Sequence, residues 1–275
     1  MNRAASRILA NTVALLATAF FAFPVYWMVV SAFKPREQLQ TYVPVFIPTA
    51  PTLDSFARAV GVQYFGDFLR NSLVVAGSTV LLSLVVGFLA AVAVARMKFR
   101  GRRAFLVLVA IVQVAPFEVV LIPMFLTMND FGLYNNIISL VIIYFIFSLP
   151  FTIWSLRGFI SSVPVELEEA AMVDGSSRLG AFMRVTLPLV APGIVASAMF
   201  CFITAWNEYL YAFTLMADQQ NYTLPVWLAQ FKTNFGTDWG ATMAASTLIT
   251  LPVLILFLLL QRRLVSGLTA GAVRG

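Results

Sequence analysis

Residues 167–189 read LEEAAMVDGSSRLGAFMRVTLPL. The stretch holds three carboxylates, Glu168, Glu169 and Asp174, and two arginines, Arg178 and Arg184, between long apolar runs. Its grammar is helical. Ser161 and Ser162 precede Pro164, and proline is tolerated in the first turn of a helix. Glu166, Glu168 and Glu169 then stand near the positive end of that helix, where carboxylates are favoured. Leu167, Ala170 and Ala171 fall at i, i+3 and i+4 and form a small apolar face. Asp174-Gly175 ends the helix, because glycine takes the left-handed conformation freely. Ser176 or Ser177 can cap a second short helix, and Leu187-Pro188 begins the next apolar run. The pattern predicts a helix–turn–helix over 161–186, with a shallow alanine knob rimmed by charge. The alternative is an amphipathic helix lying on the inner leaflet. Three acidic groups in its first turns speak against that, because the inner leaflet is negative and selects Lys and Arg.

The surroundings are those of a membrane protein. The 275-residue chain is 60% hydrophobic and 11% charged, where a soluble domain carries about 25% charged residues. It contains no histidine, which removes the common zinc sites, His-based acid–base catalysis and any Ser-His-Asp triad. Cys201 is the one cysteine. No intrachain disulfide can form, and its apolar neighbours make it a packed thiol. The net charge of +6 does not indicate nucleic acid, because no basic stripe carries interleaved aromatics on a soluble fold.

A spanning helix needs about 20 mostly apolar residues. Stretches at about 8–33, 72–95, 104–128, 136–156, 187–216 and 241–260 qualify. They predict an all-α polytopic protein of six spans in a single transmembrane domain. The first follows Arg3 and Arg7 as a signal peptide would, but its length and lack of a small-residue cleavage site favour a retained helix. With the N-terminus inside, 13 of the 18 Lys and Arg fall on the inner side, as the positive-inside rule requires. They are Arg3, Arg7, Arg96, Lys98, Arg100, Arg102, Arg103, Arg157, Arg178, Arg184, Arg262, Arg263 and Arg274. Lys34, Arg36, Arg58, Arg70 and Lys232 fall outside. The run RMKFRGRR at 96–103 settles the direction, both termini are cytoplasmic, and the 161–186 loop faces the cytosol. The first outer loop is long and proline-rich, the second is short, and the third contains YTLPVWLAQF at 222–231, an amphipathic piece able to dip back toward the membrane.

The segment EAAMVDGSSRLGAFMRVTLP resembles the coupling-loop signature of ABC importer permeases. That signature reads Glu-Ala-Ala, three residues, Gly, nine residues, Ile, any residue, Leu-Pro. Glu169, Ala170, Ala171, Gly175, Leu187 and Pro188 match it, and Val185 stands where Ile is usual. NSLVVA at 71–76, AVARMKFRGRR at 93–103, PFEVVLIPMF at 116–125, WNEYLYAF at 206–213, YTLPVWLAQF and the tail GLTAGAVRG are similar to the carbohydrate branch, of maltose and glycerol-phosphate type. The resemblance implies a permease that pairs with a second, homologous permease subunit. It implies a coupling helix inserted into a cytoplasmic ABC ATPase dimer, a solute-binding protein on the outer face, and alternating access driven by ATP. The chain lacks the G-x-x-x-x-G-K-[ST] phosphate loop. ATP and Mg therefore belong to the ATPase partner, and this chain is expected to be neither an enzyme nor a cofactor carrier. The implied location is the bacterial inner membrane.

Carboxylates inside spans are costly, about 2.5–3.5 kcal/mol at a helix centre, and often mark pathways. Glu118 stands between Pro116 and Pro123, and Glu208 beside Trp206 and Asn207. On one reading Gln113, Glu118, Asn207 and Glu208 bind a polyol, while Trp206, Tyr209 and Tyr144 stack on sugar rings. On the other, Glu118 and Glu208 are structural, held by backbone or by each other. Two rivals to the permease reading need more than the sequence offers. A self-contained secondary transporter of a small polar solute needs a relay of buried ionisable groups. A lipid-cleaving enzyme needs a nucleophile with a base or a metal cluster.

Overall fold

In the computed structural model the backbone is described for residues 3–114, 116–234 and 236–272, and side chains for 7–114, 116–234 and 236–261. The side chains of Arg3, Arg262, Arg263 and Arg274, which entered the orientation argument, and much of the tail GLTAGAVRG lie outside the described residues. The chain is helical almost throughout. In order it forms α1 (Arg3–Ala32), α2 (Asp54–Val60), α3 (Phe65–Arg96), α4 (Arg102–Val114), α5 (Leu121–Asp130) and α6 (Ile137–Ser162). Then come α7 (Val165–Val173), α8 (Arg178–Ala181), a π-helical turn (Phe182–Thr186), α9 (Leu187–Trp206), α10 (Leu210–Leu215), α11 (Leu224–Ala229) and α12 (Trp239–Ala272). Among the described residues five helical stretches are long and apolar enough to cross a membrane: Arg7–Ala32, Phe65–Arg96, Ile137–Ser162, Arg178–Trp206 and Trp239–Gln261.

The third expected span, 104–128, is not one helix. Pro116 has no N–H to continue the ladder; α4 ends at Val114, 117–120 is a turn, and α5 starts at Leu121. The fifth, 187–216, begins earlier and breaks sooner. Helix runs unbroken from Arg178 to Trp206, so Pro188 lies inside a continuous span. The wide π turn just before it makes room for a residue that offers no N–H and crowds the preceding turn. The span then breaks at 207–209 and resumes as α10. The fourth runs six residues past its expected end, to Ser162, which shortens the loop.

Two compact units divide the described chain, one of Gly66–Val226 with the chain from Val253, the other of the chain up to Phe65 with Trp227–Pro252. In the larger unit, α3 buries Ala76, Thr79, Ser83, Gly87 and Ala91 on one face and exposes Leu81, Leu82, Val85 and Leu89 on the other. Small residues inside and large apolar ones outside reverse the pattern of a soluble protein. Lipid is as apolar as leucine, so helices associate through close backbone approach and hydrogen bonds. The main helix–helix contact joins α6 to α9. There Thr152 Oγ1 lies 3.3 Å from the buried Cys201 sulfur, and Ser197 Oγ donates to Ser155 Oγ at 3.1 Å. Leu156, Ile160, Val163 and Val190 close one end of this packing with Ala91. At the other pole Asn135, in the left-handed region (φ 59°), straps the 216–223 segment. Its Oδ1 accepts from the N–H of Ala217 and of Asp218, both at 3.0 Å, and its Nδ2 donates to Asp218 at 2.6 Å.

In the smaller unit Asp238 is the hub. Arg58 Nε and Nη2 donate to its two oxygens at 2.9 and 3.3 Å, and Arg36 Nη2 donates at 3.2 Å. The carboxylate also accepts from Ala241 N–H at 3.1 Å, capping α12. Two-residue strands β1 (Lys232–Thr233) and β2 (Gly236–Thr237) pair antiparallel beside it. The amphipathic 222–231 piece holds a short helix whose Trp227 is fully buried, its Nε1–H donating to Ala59 C=O at 3.2 Å. Leu224 and Val226, which belong to the larger unit, are buried there as well. The apolar side of this piece is therefore covered by protein and is not free to dip into lipid.

Two outcomes are expected. A Cβ at Gly193 of α9 would overlap the Phe159 ring of α6, whereas one at Gly158 meets nothing within 4 Å. Gly193→Ala should destabilise the protein by about 1–3 kcal/mol. Gly158→Ala should be neutral or stabilising by up to about 1 kcal/mol. Thermal melts in detergent check both. Burial alone would raise the Asp238 carboxyl, but the hydrogen bonds from Arg58, Ala241 and Arg36 hold it below the ordinary carboxylate range. Its stabilisation is full above that range and is lost as pH falls through the lowered value. The melting temperature should therefore drop as pH falls from about 5 through the lowered value, and Asp238→Asn should flatten that drop.

Candidate functional site

The loop after α6 folds as α7, turn, α8. Pro164, with extended backbone, precedes α7, and Glu166 and Glu168 lie in its first turn. The helix ends in a Schellman motif. Ser176 N–H donates to Ala171 C=O and Gly175 N–H to Met172 C=O, both at 3.0 Å, with Gly175 at φ +91°. Ser177 then caps α8, its Oγ accepting from Gly180 N–H at 3.1 Å. The outer surface of this element is apolar and uncovered. Val173 is 88% and Leu179 72% exposed, and Leu167, Met172 and Met183 are exposed beside them. Glu166, Glu169, Asp174, Arg178 and Arg184 surround these as an exposed charged rim. Of the matched residues, Glu169, Ala170 and Gly175 are exposed on this knob and Ala171 is half-buried. Leu187 and Pro188 stand apart, inside the following span.

One side of α7 faces the protein. Glu168 is 8% exposed, and its Oε1 accepts two hydrogen bonds and forms an ion pair. Arg96, the last residue of α3, reaches it with Nε and Nη2, both at 2.9 Å. Thr186, closing the π turn and fully buried, donates its hydroxyl at 2.6 Å. Arg96 Nη2 also donates to Val163 C=O, at the end of α6, at 3.0 Å. Such charge-assisted bonds are the strong class. Sequence reasoning missed this node. In the sequence Arg96 reads as one of the inner positive charges and Glu168 as an acid near a helix start. The available signal was the adjacency of Glu168 and Glu169, since neighbours on a helix point about 100° apart and only one of them can join the exposed rim.

The pathway candidates separate. Glu208 lies in the break between α9 and α10 and caps α10: its carboxylate accepts from Tyr211 N–H at 3.1 and 3.2 Å and from Ala212 N–H at 3.3 Å. Tyr144 O–H donates to the same carboxylate. Tyr144 is 2% and Trp206 1% exposed, and Trp206 stacks on Phe202 at 5.2 Å between centroids. Asn207 and Tyr209 are exposed, with Asn207 Nδ2 donating to Ile203 C=O at 3.0 Å. Glu118 sits in the turn between α4 and α5, and Gln113 near the end of α4, both exposed. Tyr211 joins the two breaks, donating its O–H to Phe117 C=O at 2.9 Å and meeting the Phe117 ring at 4.6 Å. Glu208 and Tyr144 are thus brought together, while Glu118 and Gln113 stand on an open face.

Residues 83–270 match the family described as binding-protein-dependent transport system inner membrane component. The diacetylchitobiose uptake system permease protein of Streptomyces coelicolor is 46% identical over 269 residues, 98% of this chain and 98% of that protein. The trehalose/maltose transport system permease protein of Thermococcus litoralis is 34% identical over 272 residues, covering 98% of this chain and 97% of its own. The fold is similar to that of a chain in the crystal structure of a bacterial ABC transporter involved in import of the acidic polysaccharide alginate. The TM-score is 0.77 at 23% identity, covering 95% of this chain and 98% of the other.

Removing the Glu208 cap leaves the first N–H groups of α10 without acceptors. Glu208→Ala should cost about 1–2 kcal/mol and speed hydrogen exchange at the Tyr211 and Ala212 amides. Tyr144→Phe should leave those amides protected.

Proposed function

We propose a specific task for this chain, which belongs to the family of binding-protein-dependent transport system inner membrane components. It is a permease subunit of an ABC importer; it is not itself an enzyme, and ATP is hydrolysed in a separate subunit. Its task is to pass a sugar or polyol by alternating access, with the 161–186 loop as the ATPase contact. The observation that carries this reading is the uncovered knob of α7 and α8. Leu167, Met172, Val173 and Leu179 are exposed, and Glu169, Asp174 and Arg178 rim them at a helical turn that Gly175 makes tight. An apolar patch rimmed by charge marks a protein-docking surface.

The rest of the arrangement follows. α4 and α5 together form one broken span, giving six, in a single transmembrane domain. The knob and both termini face the cytosol, in keeping with the positive charge of 96–103. A homologous permease completes the pathway, an ATPase dimer with ATP and Mg receives the knob, and a solute-binding protein delivers the cargo. The sugar assignment is supported by the solutes named for the relatives, diacetylchitobiose and trehalose/maltose. Gln113, Glu118, Asn207 and Tyr209, all exposed at or near the two helix breaks, face the solute. Tyr144, Trp206 and Glu208 shape the path from behind.

Gly175→Val strains a φ of +91°, and Glu169→Arg inverts the rim. Each should cut uptake and binding-protein-stimulated ATP hydrolysis by about tenfold while membrane insertion is kept. Vesicles containing the assembled importer measure both. Gradient-driven uptake by the isolated subunit would instead support a secondary transporter.

A further inference from the structure

We propose that Arg96 is a positioning residue of transport. Through Glu168 and Thr186 it makes α7 move as one body with the ends of α3 and α6 and the start of α9. This rests on the reading of α7 as the ATPase contact and names the part that passes its motion on. Backbone alone ties α7 loosely: an extended Val163-Pro164 link precedes it, and a turn hinged on Gly175 follows. The side-chain link is different in kind. Among the described residues Glu168 is the one buried carboxylate, and a single oxygen of it gathers Arg96 Nε, Arg96 Nη2 and Thr186 Oγ1 within 2.6–2.9 Å.

Each partner stands where displacement matters. Arg96 ends a helix of 32 residues, and Thr186 closes the π turn at the head of a 20-residue helix. π turns are places where a helix changes register and often serve function. A push on the exposed knob therefore reaches two spanning helices through one oxygen atom. A guanidinium suits this node because it offers several N–H donors in a fixed fork. Arg96 uses the fork on Glu168 and on Val163 C=O together.

The test uses the complete complex in lipid vesicles, with labelled diacetylchitobiose and labelled trehalose as probes. The double variant Arg96→Gln/Glu168→Gln avoids leaving a buried charge unpaired. It should keep the ATPase subunit bound and basal hydrolysis intact, while solute moved per ATP falls about tenfold. Thr186→Val should lower the same ratio less, and Arg96→Lys should recover part of it. A second readout needs no solute. Spin labels at Phe131→Cys and Phe213→Cys, with Cys201→Ala, should show a nucleotide-dependent distance change in the parent complex and none in the double variant. Unchanged solute per ATP and an unchanged distance response in the double variant would overturn the proposal. So would loss of the ATPase subunit from Thr186→Val and the double variant alike, because the node would then serve assembly. The underlying reading fails separately, if Glu169→Arg and Gly175→Val at the exposed end leave coupling intact.

Discussion

Lipid gives one helix no hydrophobic reason to touch another, so contact inside a membrane rests on close packing of small residues and on hydrogen bonds. This constraint organises the larger unit. Thr79, Ser83, Gly87 and Ala91, spaced four apart, form the inward face of α3, and leucines and valines are left outside. At the α6–α9 contact the same rule brings Gly193 against the Phe159 ring and the Cys201 thiol against Thr152. The thiol has the role of a small packed group.

The second consequence concerns backbone. A helix interrupted in hydrocarbon must have its freed N–H and C=O groups satisfied by protein. Two interruptions, at 116–120 and 207–209, meet this demand partly through each other. Glu208 supplies acceptors to the first amides of α10, and Tyr211 supplies a donor to Phe117 C=O in the other break. A carboxylate that is expensive in a continuous helix becomes useful at the start of a new one. The breaks leave Glu118 and Asn207 exposed.

Glu168 and Glu169 show how one step along a helix separates two environments. They are adjacent and chemically identical. One is buried under Arg96 and Thr186, and the other is exposed on the rim of the knob. The first ties α7 to the end of α3 and to the π turn, and the second stands on the exposed surface. Asp238 plays the corresponding anchoring part in the smaller unit, joining Arg36 and Arg58 to the cap of α12.

The membrane class, four of the spans, the helical loop with its Gly175 stop and the family were all legible in residue order. They depend on composition, on runs of about 20 apolar residues and on spacings of a few residues, all of which are local. Pro116 marked a break in the third span, but no local rule said that the fifth would break at Asn207 and Glu208 while tolerating Pro188 and Pro192. The tolerance of Pro188 depends on the π turn before it, and the break is held by the Tyr144 O–H and Tyr211 N–H that donate to the carboxylate. The Tyr144–Glu208 bond and the Arg96–Glu168–Thr186 node join residues 18 to 72 positions apart. The sequence alone determined which segments are apolar enough to cross a membrane, because transfer from water to lipid is a property of a segment's own side chains. Only the tertiary structure decided which polar groups hold the helices together, because a bond between helices forms only where distant parts of the chain are brought within about 3 Å.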